Sequence, residues 1–221
     1  MKQMSASLPV YLLLALSGGC TDAYSYLVRD HVFANAQTGN MLMLGVKIMD
    51  RDHAAALEYL WPILAFALGV FVADLIRYRS REAFIHWRQY ALVAEMLVLI
   101  LVCNLSQQYN ELANVLISMV CGIQVETFRA VNGNAIATCM CIGDLRSGVF
   151  NLDMFFQTKE FHYLKRSMVY MGVIVAFIVG AMIESLLVDR LAEKALYFSL
   201  ISLSIAFLLM LRSPRKAHQK A

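Results

Sequence analysis

Phe33-Ala-Asn-Ala-Gln-Thr-Gly-Asn-Met-Leu-Met-Leu-Gly45 places Asn35, Gln37, Thr38 and Asn40 inside an otherwise apolar run, with Gly39 before Asn40 and Gly45 after it. The run is too short and too polar for a lipid-facing helix. Backbone that breaks at membrane depth persists only where protein or a water-lined cavity satisfies its polar groups, so the stretch reads as a re-entrant or discontinuous helix at a site. A weaker version recurs in the second half, Ala135-Ile-Ala-Thr-Cys-Met-Cys-Ile-Gly-Asp-Leu145.

The surrounding composition sets the class. The chain has 221 residues, 60% hydrophobic and 16% charged, with a mean hydropathy of +0.60, and this excludes an ordinary soluble domain. A spanning helix needs roughly 20 mainly apolar residues, and stretches at about 8–27, 58–76, 90–105, 111–128, 168–188 and 195–211 meet that need. The expectation is an all-α polytopic membrane protein forming one membrane domain over 1–221, with a basic cytoplasmic tail at 212–221. Lys2 ahead of the apolar run from Leu8 imitates a secretory signal, and Ser17-Gly-Gly-Cys20 faintly imitates a lipoprotein cleavage box. An aliphatic residue would be needed where Ser17 stands, and cleavage would discard a helix whose motif is echoed later, so the segment is read as an uncleaved first span. Cys20, Cys103, Cys121, Cys139 and Cys141 all fall in apolar segments and suggest no disulfide framework.

Charge decides whether the two polar stretches cross. If neither does, there are six spans, and most of the 19 Lys and Arg fall on one side: Lys2, the Arg77 to Arg88 loop, Arg129, Arg146, Lys159, Lys165, Arg166 and the C-terminal tail. The other side keeps Arg29, Lys47, Arg51, Arg190 and Lys194. The positive-inside rule then puts both termini in the cytoplasm. The net charge of +3 lies at membrane borders, so no nucleic-acid partner is expected.

The same arrangement exposes an internal repeat, with units at about 8–106 and 110–211. Gly19-x-x-Asp22 precedes Gly39-Asn40 much as Gly122-x-Gln124-x-Glu126 precedes Gly143-Asp144, and each unit then has a glycine with a following acid, Gly69 with Asp74 and Gly180 with Glu184. Units of three crossings must be inserted upside down relative to one another, which is the inverted-repeat architecture of many transporters. The two broken stretches then enter from opposite faces and bring Asn35, Thr38 and Asn40 near Cys139, Cys141 and Asp144. Amides and hydroxyls at a broken helix can replace a hydration shell; they can equally lock helices together. Asp22 and Glu126 take similar places in the two units. Each could carry a proton, while Arg129, three residues on, could pair with Glu126 instead.

Enzyme signatures are poor. The histidines are scattered, Gly-x-Ser-x-Gly and a phosphate loop are absent, and Cys139-x-Cys141 has no companion ligand for a soft metal. Ile142-Gly143-Asp144 resembles half of an intramembrane aspartyl protease motif, but Cys141 replaces its first glycine.

Gly19-x-x-Asp22-Ala23-x-Ser25-Tyr26, Phe33-x-Asn35-x-x-Thr38-Gly39-Asn40 and the second-half Gly122-x-Gln124 resemble the YoaK family of bacterial inner-membrane proteins, a domain of unknown function. The likeness spans nearly the whole chain and implies a six-span inner-membrane protein. Val125-Glu126 stands where that family has Asn-Ala, and Ile142-Gly143-Asp144 where it has Thr-Gly-Thr, which marks Glu126 and Asp144 as candidate specialisations. The leading expectation is secondary transport or channel-like passage of a small polar solute or ion, without cofactor or metal. Asp22, Asn35, Thr38, Asn40, Gln124, Glu126 and Asp144 would line the route, in a protein that forms a homodimer. A non-transporting scaffold or partner subunit is the rival, and an intramembrane enzyme the third reading.

Overall fold

A computed structural model describes residues 7–79, 84–131 and 134–211. Lys2, Arg81, Glu82, the Asn132-Gly133 turn and the basic tail 212–221 lie outside the described residues. Eight α-helices dominate: α1 Leu8–Val28, α2 Gln37–Met49, α3 His53–Arg79, α4 Phe84–Cys103, α5 Asn110–Thr127, α6 Cys141–Thr158, α7 Phe161–Leu191 and α8 Tyr197–Leu211. Between α5 and α6, β1 (Ala130–Val131) pairs antiparallel with β2 (Asn134–Ala135), Ala130 opposite Ala135. Pro9 sits in the first turn of α1, where a missing N–H leaves no helical bond unmade. Lys159, in a left-handed conformation, ends α6 and lets the chain reverse into α7.

Polar side chains are buried alongside an apolar core, and large apolar ones cover the outside. Ser17, Asn35, Asn40, Asn114, Ser118, Gln124, Glu184 and Ser199 are buried, whereas Leu68 and Phe71 on α3, Leu97 on α4, Met182 and Leu186 on α7, and Ile201 and Leu208 on α8 are exposed. A protein in water arranges these groups the other way, and so large an exposed apolar surface belongs in lipid. Among the described residues two helices, His53–Arg79 and Phe161–Lys194, are long and apolar enough to cross a membrane. The observed α3 and α7 extend beyond the sequence-expected spans at 58–76 and 168–188 at both ends.

Two helix pairs hold the bundle. α1 packs on α7, and α3 on α5, more extensively than any other pair. In both pairs, glycines let the backbones touch. A Cβ on Gly19 would overlap the Phe177 carbonyl oxygen, and one on Gly180 the Leu16 carbonyl oxygen; Gly122 meets Phe66, and Gly69 meets Met119, in the same way. Only residues without a side chain permit this approach. Around these pairs, α2 lies on α3 and α6 on α7, α8 packs on α1 and α4 on α5, and α4 meets α8. A hydrogen bond of 2.6 Å between the Ser17 and Ser199 hydroxyls fastens α1 to α8.

Arg29 departs from the sequence reading. The charge pattern sets it among the border residues of the less basic side, yet it is fully buried. Its guanidinium donates to the carbonyls of Val102 (3.0 Å), Leu105 (2.9 Å) and Ser106 (3.3 Å), to Asn110 Oδ1 (2.8 Å) and to the Tyr24 hydroxyl (2.8 Å). It thus gathers carbonyls at and just beyond the end of α4, where the helix dipole favours a cation. Spacing along the chain carries no sign of this, because every partner beyond Tyr24 comes from distant sequence.

Gly180→Val should lower the thermal midpoint of the purified protein markedly, because the side chain must displace the backbone of α1; overpacking of this kind costs about 1–3 kcal/mol or more. Gly45, inside α2 with nothing within 4 Å of an added Cβ, provides the contrast. Gly45→Ala should leave the midpoint unchanged or raise it, since alanine favours a helix by about 0.5–1 kcal/mol over glycine.

Candidate functional site

After α1 the chain turns back along it. Asp30 and His31 both adopt positive φ, and Phe33 to Ala36 then run beside the lower part of the helix they have just left. The backbone N–H of Asn35 donates to Asp22 Oδ1 at 2.8 Å, and that of Ala36 donates to the same oxygen at 3.4 Å. The Asn35 side chain donates to the Gly18 carbonyl (2.8 Å) and to Thr21 Oγ1 (2.9 Å). Asn40 closes the turn from the other side: its Oδ1 accepts from Phe33 N–H at 3.1 Å, and its Nδ2 donates to Phe33 O (2.6 Å) and Gln37 Oε1 (2.9 Å). Gln37 reaches the Ala34 carbonyl and Ser118 Oγ on α5. Asp22, Asn35, Gln37 and Asn40 are all buried; Asp22, Gln37 and Asn40 bond the unpaired backbone ahead of α2, while Asn35 Oδ1 is buried without a hydrogen-bond partner among the described residues. Thr38 points elsewhere and is exposed.

The second break is built alike and furnished differently. The Ile136 N–H donates to Arg129 O at 3.1 Å, folding the chain back after the short hairpin. Cys139 Sγ donates to Gln124 Oε1 at 3.3 Å, while Gln124 Nε2 donates to Leu14 O at 3.5 Å. Gly18 lies between the breaks: its carbonyl accepts from Asn35, and a Cβ on it would stand 3.0 Å from Cys139 Sγ. Asn35 and Cys139 both lie against Gly18, with Gln124 bonded to Cys139, whereas Thr38 does not join them. Asp144, 2% exposed, accepts the Ala137 N–H at Oδ1 over 3.4 Å, and its Oδ2 is buried with no hydrogen-bond partner among the described residues.

Beside Asp144 opens a cavity of about 640 Å³ between α5, the hairpin, α6 and α7, lined by Glu126, Arg129, Asp144, Arg146, Ser147, Asn151 and Tyr170 among others. Glu126 pairs with Arg129 at 3.2 Å and with Arg77 at 3.0 Å, and Arg77 also pairs with Asp74. Glu126 thus differs from Asp22. It is half-buried at the end of α5 within an ion-pair cluster that ties α3 to α5, whereas Asp22 caps a break from within α1. Among the described residues, no group of three or more His, Cys, Asp or Glu is placed to hold a metal ion.

At the first break aromatic rings pack over Gly39, and the pocket beside the turn, at Asp30 and His31, is smaller, about 290 Å³. Phe33 stacks on Tyr26 at 4.9 Å between centroids, Tyr26 meets His31 at 5.0 Å, and Phe33 lies against Gly39 so closely that a Cβ there would stand 2.7 Å from its ring. At the second break the residue seven before the helix acid is Ala137, and Gly143 has nothing within 4 Å of an added Cβ. Tyr26 and Phe33 stand in the motifs that carry the family resemblance without any role in packing over the break; an aromatic residue in one polar stretch against alanine in the other is the signal for it.

The DUF1275 family, described as a protein of unknown function, matches residues 10–209. The UPF0700 transmembrane protein YoaK of Bacillus subtilis (strain 168) is 25% identical over 205 residues, covering 89% of this chain and 88% of that one. No solved structure matches.

Asp22→Ala should strip the Asn35 N–H of its acceptor and cost about 1–3 kcal/mol, read as a lower thermal midpoint and faster hydrogen exchange over residues 33–37. Asp22→Asn keeps an acceptor oxygen and should cost clearly less. Equal losses in the two variants would show that the charge matters here and the cap does not.

Proposed function

The chain belongs to the DUF1275 family, a transmembrane protein family of unknown function, and from that premise and the geometry of the two breaks we propose that it is a secondary transporter for a small polar solute, built as an inverted repeat. The resemblance to the YoaK family read from the residues agrees with this membership.

The repeat is supported by the pairing of helices. Reading α5 to α8 as upside-down counterparts of α1 to α4 turns the α1 and α7 contact into that of α5 and α3, α2 on α3 into α6 on α7, and α8 on α1 into α4 on α5. The glycines follow: Gly19 corresponds to Gly122, and Gly180 to Gly69, with the carbonyls of Phe177 and Phe66 on the opposing helices. Asn40 and Asp144 are each the fourth residue of their helix, and each accepts the backbone N–H seven residues earlier.

Six crossings follow if α2 and α6 return to the face from which their strands entered. Thirteen residues give α2 a length of about 20 Å, short of the roughly 30 Å hydrocarbon core. Its far end joins α3 through Asp50 to Asp52 beside the start of that helix, while its near end is bonded to the middle of α1 and α5. With basic segments cytoplasmic, the cavity at Asp144 faces the cytoplasm of a bacterial inner-membrane protein, and the aromatic plug at Phe33 faces outward.

The carrying observation is this asymmetry: one break opens to a cavity that reaches a buried carboxyl, and its counterpart is filled by Phe33. A carrier caught open on one side and shut on the other has that shape, and rocking the α1–α7 pair against the α3–α5 pair, each pair drawn from both repeats, would exchange the two. The rival scaffold reading is favoured at the first break, where Asp22, Gln37 and Asn40 bond the backbone of the turn. No catalytic step is proposed.

Proteoliposomes on a solid-supported membrane, given concentration jumps of a panel of ions and small metabolites, test the reading. Solute-dependent currents are expected from the wild type, and Phe33→Ala should enlarge them by removing the outer plug. Silence from both proteins, each shown to be folded, supports the scaffold instead.

A further inference from the structure

Asn40 and Asp144 stand at the same point of their helices and do different work. Asn40 both accepts from Phe33 N–H and donates to Phe33 O. Asp144 manages only the accepting half, over a long 3.4 Å, because a carboxylate has no proton to give the Ala137 carbonyl. An amide at position 144 would satisfy the local backbone better. A carboxylate kept there, 2% exposed and with Oδ2 lacking a partner among the described residues, is a group in want of a donor, and it lines a cavity.

Ser147 and Asn151 follow Asp144 at three and seven residues along one face of α6 and line the same cavity. Asn151 spends its Nδ2 on Ser147 O at 2.7 Å, which leaves its carbonyl oxygen as an acceptor. The other charged groups facing the cavity are Glu126, Arg129 and Arg146. Glu126 and Arg129 neutralise each other in the cluster with Arg77, and Arg146 is exposed at the rim, where solvent screens it.

We propose that the cavity binds a small protonated primary amine, its ammonium donating to Asp144 Oδ2 and to the oxygens of Ser147 and Asn151. An ammonium carries its donors on one atom, and Asp144, Ser147 and Asn151 present acceptor oxygens along one face of α6, with Arg146 at the rim. The inference rests on the transport reading and names its substrate class.

Binding of methylammonium, tetramethylammonium and acetate to the full chain in nanodiscs, read by thermal shift at fixed pH and ionic strength, tests it. Methylammonium should raise the midpoint saturably, while tetramethylammonium, which has no N–H, and acetate should not. Asp144→Asn should weaken methylammonium about tenfold or more while raising the ligand-free midpoint, since the new amide can donate to Ala137 O. Ser147→Ala should weaken methylammonium with the ligand-free midpoint unchanged. Equal shifts from the two ammonium ions, unchanged affinity in Asp144→Asn, or a folded wild type that no amine shifts would each overturn the proposal. Absent amine binding with solute currents retained removes only the substrate class; amine binding without any current removes transport and leaves the site.

Discussion

The bond from the Asn35 backbone amide to the Asp22 carboxylate is the contact on which the remaining architecture depends. A chain that leaves a helix and turns back into an apolar environment exposes amides that no water reaches, and each one left bare costs on the order of 1–3 kcal/mol. Asp22, Asn35, Gln37 and Asn40 meet that demand within a few residues of sequence. They fix where α2 begins, and hence where its far end meets α3. Without them the stretch from Phe33 to Gly45 would have to leave the bundle or continue through it.

Close backbone contact does the complementary work between helices. Where lipid is as apolar as leucine, burying leucine gains little, so helix pairs are held by dispersion contacts that only glycine allows and by a few polar links. Gly19 and Gly180 provide this for α1 and α7, and Gly69 and Gly122 for α3 and α5. Arg29 adds a third device, tying the end of α1 to the end of α4 through carbonyl oxygens. These rigid pairs are the units that the proposed rocking motion would move, with Gly18 at the point where both breaks touch.

Much of this was legible in the chain. The polar cluster of Asn35 to Asn40 inside an apolar run announced the first break, and Gly143-Asp144 the second. The composition announced a helical membrane protein. What was hidden depended on distant partners. Arg29 reads as one more membrane-border charge until Val102 and Leu105 are brought to it, and Thr38 reads as a site residue although helical geometry turns it outward. Asp22 and Glu126 look alike by spacing, yet one caps backbone and the other sits among arginines. The contrast that distinguishes the two halves, Phe33 against Ala137 and Asn40 against Asp144, was written in the sequence, but its meaning required the cavity.

The return of α2 to the face from which the chain came is tested most directly by the sidedness of its two flanks. Single cysteines at His31 and Asp50, probed in intact cells with a membrane-impermeant maleimide against the unsubstituted chain, should both label from the outside. Labelling of one from outside, with the other reached only after the membrane is permeabilised, would mean that residues 33–49 cross the bilayer, and would contradict the broken-helix architecture and the inverted repeat with it.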